Sequence, residues 1–155
     1  LFRSHIQPEL TLRWGDGYPV TPSPRPVRPG QVIQMDINCK NGSRIRQVEF
    51  DGRFSPNLTL LGMTTGTAWD PPSAVTPVFS TPNEINKTHI FLLQRLQAGP
   101  TAVCRDREGS LVTFFFTVTS SGSGSIELNS IRLFDEKNQK ILEKNEPEML
   151  MFFSN

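Results

Sequence analysis

The run from Ile45 to Gly62, IRQVEFDGRFSPNLTLLG, constrains the fold more than any other part of the chain. Val48, Phe50, Gly52 and Phe54 fall on one side of an extended backbone. Gln47, Glu49, Asp51 and Arg53 fall on the other. Successive side chains of a strand point to opposite faces, so this pattern predicts a β-strand with one packed and one wetted face. Ser55-Pro56-Asn57 then predicts a turn, because Pro56 has no N–H to give a ladder and Asn57 suits a tight bend. Leu58, Leu60 and Leu61 return as an apolar segment that Gly62 ends.

The rest of the chain repeats that grammar. Thirteen prolines and eleven glycines among 155 residues speak for many turns and against a helical bundle. Pro8 and the alternating Glu9 to Trp14 predict a first or edge strand. Five prolines between Gly15 and Gly30 predict a stiff extended segment, read as a crossover inside one domain rather than a linker. Gln31 to Cys39 alternates with Ile33, Met35 and Ile37 inward and Gln34, Asp36 and Asn38 outward. Asn41-Gly42 then carries the signal of a tight hairpin turn. Met63 to Asn86 reads as a long loop holding one short strand near Val75 to Ser80. Thr88 to Leu93 is apolar on both faces, and Ser110 to Val118 is the strongest strand, with Phe114 and Phe116 as core anchors. Ser120 to Ser125, SSGSGS, reads as a loop between sheets. Ile126, Leu128, Ile131 and Leu133 continue an apolar pattern, Asp135 to Asn138 turn, and Glu148 to Phe153 closes the set. Length predicts one domain, 1–155.

Taken in order, these motifs resemble cohesin modules. Phe50, Phe54, Ser55, Pro56 and Leu58 or Leu60 match that family's aromatic, acid-Pro turn and Leu signature, with Ser55 standing where the family carries Asp. Gly109 to Phe116, Gly122 to Ser125, Ile126 to Leu128, and Leu133-Phe134-Asp135 through Asn138 to Ile141 follow the family's C-terminal pattern. The resemblance spans residues 27 to 153. It implies an all-β fold, an antiparallel β-sandwich of jelly-roll topology with about nine strands, secreted to the cell exterior or surface. It also implies a dockerin-type protein partner held on one sheet face. The matching positions are Gln47, Glu49, Asp51 and Arg53 on one strand and Ile90, Leu92, Gln94 and Arg95 on a neighbour. A register shift of one residue replaces the apolar pair by Phe91 and Leu93, and the competing reading has Ile90 to Leu93 simply filling two core faces.

Little in the chain speaks for catalysis. Glu49 and Asp51 share a strand face, as in any alternating strand. His5 and His89 stand alone, and no nucleophile elbow, phosphate loop or dinucleotide fingerprint occurs. A calcium loop with acids at alternate positions is missing, and Asp70 and Glu84 are scattered. The reading is therefore a non-enzyme without a cofactor. A net charge of +1, with Glu49 and Asp51 set among Arg44, Arg46 and Arg53, gives no nucleic-acid surface. No run is long and apolar enough to span a membrane. Cys39 and Cys104 are either a disulfide or two free thiols, Cys39 continuing the buried register of Ile33, Met35 and Ile37. Asn41, Asn57 and Asn86 begin Asn-x-Ser/Thr triplets.

Two rivals to dockerin binding stand beside it. One is an assembly domain of a larger cell-envelope, secretion or pilus protein, associating with itself or its neighbours. The other is a carbohydrate-binding module, which needs exposed aromatics; Trp14, Tyr18 and Trp69 are the candidates, with Trp69 read first as a buried plug.

Overall fold

The computed structural model describes residues 6–79 and 90–155, the side chains of 78, 79 and 90–95 excepted. The alternating segments become strands in two facing sheets. The smaller runs β1 (Glu9–Trp14), β3 (Val32–Lys40), β10 (Gly109–Val118) and β5 (Leu58–Thr65), all antiparallel. The larger runs β2 (Arg25–Val27), β13 (Glu148–Ser154), β11 (Gly122–Phe134), β4 (Gln47–Phe54), β8 (Ile90–Ala98) and β7 (Val75–Phe79). A further strand, β12 (Lys140–Lys144), pairs with the C-terminal half of β11. A short ribbon of β6 (Trp69–Asp70) and β9 (Val103–Cys104) completes the set. The chain is an all-β antiparallel sandwich of jelly-roll topology, with thirteen strands among the described residues where the sequence predicted about nine. One pair among them, β2 with β13, is parallel.

The swing of the chain from sheet to sheet makes the jelly roll. β3 lies in the smaller sheet, β4 in the larger and β5 in the smaller again, and β8, β10 and β11 repeat the alternation. Phe50 and Phe54 of β4 therefore meet Phe114 and Phe116 of β10 across the core, at ring-centroid distances of 5.5 and 5.1 Å. Such edge-on and tilted pairs add to the area buried on both inner faces. Phe50, Phe114 and Phe116 are fully buried, as are Ile33, Met35, Ile37 and Val48.

Several expectations need correcting. Asn41-Gly42 does not make a hairpin, although Asn41 does adopt the left-handed φ of 61°. β3 and β4 sit in opposite sheets, and the bend drops Ile45 into the core. Pro56 likewise turns the chain between sheets, and β5 continues through Gly62 to Thr65. β8 runs on through Gln94 and Arg95 to Ala98. The SSGSGS run is no loop beyond Ser121, because β11 begins at Gly122. Its small residues admit the Phe152 ring, whose ζ carbon would lie 2.2 Å from a Cβ on Gly124. Ser80, Glu84, Asn86, Thr88 and His89 lie outside the described residues.

Asp36 and Asn38 face outward from β3 yet are buried. Asp36 pairs with Arg13 at 2.8 Å and accepts from the Ser110 and Thr113 hydroxyls. Asn38 donates to Glu108 at 2.6 Å. Alternation assigns a face, and the cross-strand neighbours decide whether that face stays wet.

The proline-rich stretch is tied down by Arg25. Its guanidinium lies over the Trp14 and Tyr18 rings at 5.0 and 4.4 Å and reaches both oxygens of Asp16, at 3.0 and 2.5 Å. Pro26 sits in an edge strand, where a missing N–H is tolerated.

Candidate binding face

The outer face of the larger sheet carries the polar side chains of β4, and β11 supplies their partners. Register sets Arg53 opposite Glu127, Asp51 opposite Ser130, Glu49 opposite Arg132 and Gln47 opposite Phe134. Arg53 pairs with Glu127 at 2.8 Å, and Arg132 with Glu49 at 3.2 Å. Ser130 donates to Asp51 and accepts from Arg132, and the Gln47 amide donates to Glu49 at 3.2 Å. The row extends into β12, where Lys140 holds the Glu143 carboxyl below its usual range, with Arg132 adding to the pull. Glu49, Asp51 and Arg53 thus belong to one ladder of cross-strand pairs, and Gln47 joins it through Glu49 on its own strand. Half-exposed pairs of this kind contribute little stability individually.

A bulge makes the ladder continuous. Along β11, Ile126 and Leu128 point inward, the register slips between Leu128 and Ser130, and Ile131 and Leu133 then point inward in turn. The extra residue shifts parity by one, so Glu127, Ser130 and Arg132 all share the outer face. Sequence reasoning missed these three residues. Their signal was the break in the apolar spacing between Leu128 and Ile131.

The predicted neighbour strand is indeed adjacent to β4. The backbone register places Ile90 opposite Arg53, Leu92 opposite Asp51, and Gln97 opposite Gln47, with a slip between Val48 and Phe50. The side chains of Ile90, Leu92, Gln94 and Arg95 lie outside the described residues. On the opposite flank Met149, Met151 and Phe153 project outward from β13, each more than a third exposed, while Leu150 and Phe152 are buried. Met149 stands opposite Glu127, Met151 opposite Ser125 and Phe153 opposite Ser123. The face therefore joins a charged ladder to an apolar stripe. The run EMLMFFS is apolar at both parities, so sequence alone does not tell which set faces out.

Other candidate chemistry is placed elsewhere. Trp69 is fully buried and donates its indole N–H to the Leu111 carbonyl at 3.0 Å, and Trp14 is buried as well. Neither offers a flat face to a sugar; Tyr18 is partly exposed and already stacks on Arg25. Asn57 is held by its amide against the Gly122 and Ser123 carbonyls, both at 3.4 Å. Among the described residues, no group of three or more His, Cys, Asp or Glu is placed to hold a metal ion, and no helix is long and apolar enough to cross a membrane.

Comparison with solved structures finds cohesin modules of similar fold. A non-cellulosomal cohesin from Archaeoglobus fulgidus superposes with a TM-score of 0.65 at 12% identity, covering 97% of this chain and 92% of that one. A type I cohesin–dockerin complex from Clostridium thermocellum matches with a TM-score of 0.65 at 15% identity, over 97% of this chain and 100% of that one. The sixth cohesin of scaffoldin B from Acetivibrio cellulolyticus, solved with a dockerin, matches at 0.62 and 9% identity, over 94% and 98%. The chain has a cohesin-like fold. No protein-family model matches it, and no curated protein sequence does.

Proposed function

We propose that the chain is a non-catalytic protein-binding module that takes a dockerin-type partner on the outer face of its larger sheet. The observation that carries this reading is the near end-to-end likeness to cohesin structures, two of them described as dockerin complexes. Gln47, Glu49, Asp51 and Arg53 form the polar part of the site. Ile90, Leu92, Gln94 and Arg95 form its neighbouring strand. The ladder to β11 holds the β4 side chains in place before a partner arrives, which lowers the entropy lost on binding. Desolvated apolar anchors then carry affinity, and the charged row sets register and specificity. A module of this kind works at the cell surface or outside the cell.

Calorimetric titration of the chain against a panel of dockerin modules tests the reading, beside a variant carrying Gln47→Ala and Glu49→Ala. Saturable binding weakened about tenfold or more in the variant supports the site; a loss of that size corresponds to about 1.4 kcal/mol. Binding that the variant leaves unchanged moves the site off β4. The absence of binding across the panel overturns the dockerin reading.

One observation favours a second reading, an assembly domain. The Met149, Met151 and Phe153 stripe lies on the same face, and exposed apolar patches mark association surfaces.

A further inference from the structure

The two cysteines lie far apart in sequence, and nothing in the sequence says whether they meet. The fold brings them together. Cys39 is the last inward residue of β3, and Cys104 ends β9; both are buried. The backbone around them is held in place from both sides. The Asn41 N–H donates to the Asp106 carbonyl at 2.8 Å, the Ser43 N–H to the Asp106 carboxylate at 3.2 Å, and the Arg105 N–H to the Ala68 carbonyl at 2.7 Å.

Gly42 closes over the pair. A Cβ at that position would lie 2.8 Å from the Cys104 sulfur and 3.1 Å from the Cys39 sulfur, so a glycine is what leaves room for both. The Cys39 thiol donates to the Lys40 carbonyl at 3.7 Å. The neighbouring Cys104 thiol holds Cys39 below its usual range against the opposing effect of burial, and Cys39 together with burial pushes Cys104 up. No third ligand is placed to make a metal site with them among the described residues.

We infer that Cys39 and Cys104 are a disulfide-forming pair whose cross-link staples the end of β3 to β9 when the chain folds in an oxidising compartment. The oxidant is a disulfide of the glutathione or protein class. One cysteine, as thiolate, attacks a sulfur of the oxidant and expels a thiolate that takes up a proton. The second cysteine, deprotonated in turn, attacks the mixed disulfide, closes the Cys39–Cys104 bond and expels the second thiolate. Two protein thiols are oxidised, and one oxidant disulfide is reduced to two thiols. Exchange takes place before the sheets close, since the native sulfurs are buried. The bond then restrains the long intervening segment, which includes all of β4 to β8, in the unfolded chain. This inference stands independently of any binding partner.

The test refolds the whole chain in mixed reduced and oxidised glutathione and, in parallel, in excess reductant, followed by alkylation under denaturing conditions and peptide mapping. The expected result is a monomer with no alkylated cysteine and a linked peptide pair joining Cys39 to Cys104. Its thermal midpoint should exceed that of the reduced protein by on the order of 10 °C. A double variant, Cys39→Ala with Cys104→Ala, should match the reduced protein and ignore the oxidant. Two alkylated thiols per chain after oxidative refolding, single glutathione adducts or intermolecular dimers each overturn the pairing. A cross-link without a rise in midpoint overturns the stapling role.

Discussion

At the scale of single residues, Arg25 shows how a proline-rich stretch acquires a fixed place. Its guanidinium is buried between two aromatic rings, and Asp16 supplies the opposite charge. The Arg25 hydrogen bonds hold the Asp16 carboxyl below its ordinary range. A carboxyl whose native value is depressed stabilises the fold fully above its unfolded value, about pH 4, and loses that contribution as the pH falls through the native value. Asp16→Asn should therefore cost stability at neutral pH. The carboxylate is about 42% exposed, so solvent screening holds the loss to about 1 kcal/mol. Urea unfolding of both proteins from pH 7 downward checks this: the difference should shrink as the wild-type carboxyl protonates. A gap that persists unchanged at pH 2 would show that charge is not the cause. None of this was legible in the sequence, where Arg25 stood only as one residue among prolines.

At the scale of elements, β11 organises the larger sheet. It pairs with β4 on one side and with β13 and then β12 on the other. Its first residues read as a loop between sheets because glycine and serine have weak strand preference. Packing decides otherwise, since Gly124 lies directly under the buried Phe152 ring of β13. Gly124→Ala should push that ring off its position and destabilise the fold by about 2 kcal/mol, as overpacking a closed core does. A lower urea midpoint at unchanged slope is the expected readout; an unchanged midpoint would show that the ring has room to move. β4 was the opposite case. Its strict alternation predicted both faces, and the inward set Val48, Phe50 and Gly52 is buried. The ladder partners on β11 were hidden by the bulge, because parity shifts at Asn129 without any sequence mark beyond a changed spacing.

At the scale of the whole molecule, the question is what covers the outer face of the larger sheet. If the Met149, Met151 and Phe153 stripe mediates self-association, a variant carrying Met151→Ser and Phe153→Ser should move a dimer to a monomer in sedimentation at matched concentration. Folding stability should change by only about 0.5 kcal/mol per site, since these side chains are already exposed. A wild-type chain that sediments as a monomer throughout would remove the assembly reading. The sequence by itself determined the all-β class, most strand positions and the inward faces of β3, β4 and β10, because those follow from a two-residue period that neighbours do not alter. Tertiary structure alone decided which strands share a sheet, why Asn41-Gly42 and Pro56 turn between layers rather than within one, and that Cys39 meets Cys104. These depend on contacts between residues distant in sequence, and local periodicity carries no record of which distant strand completes a given edge.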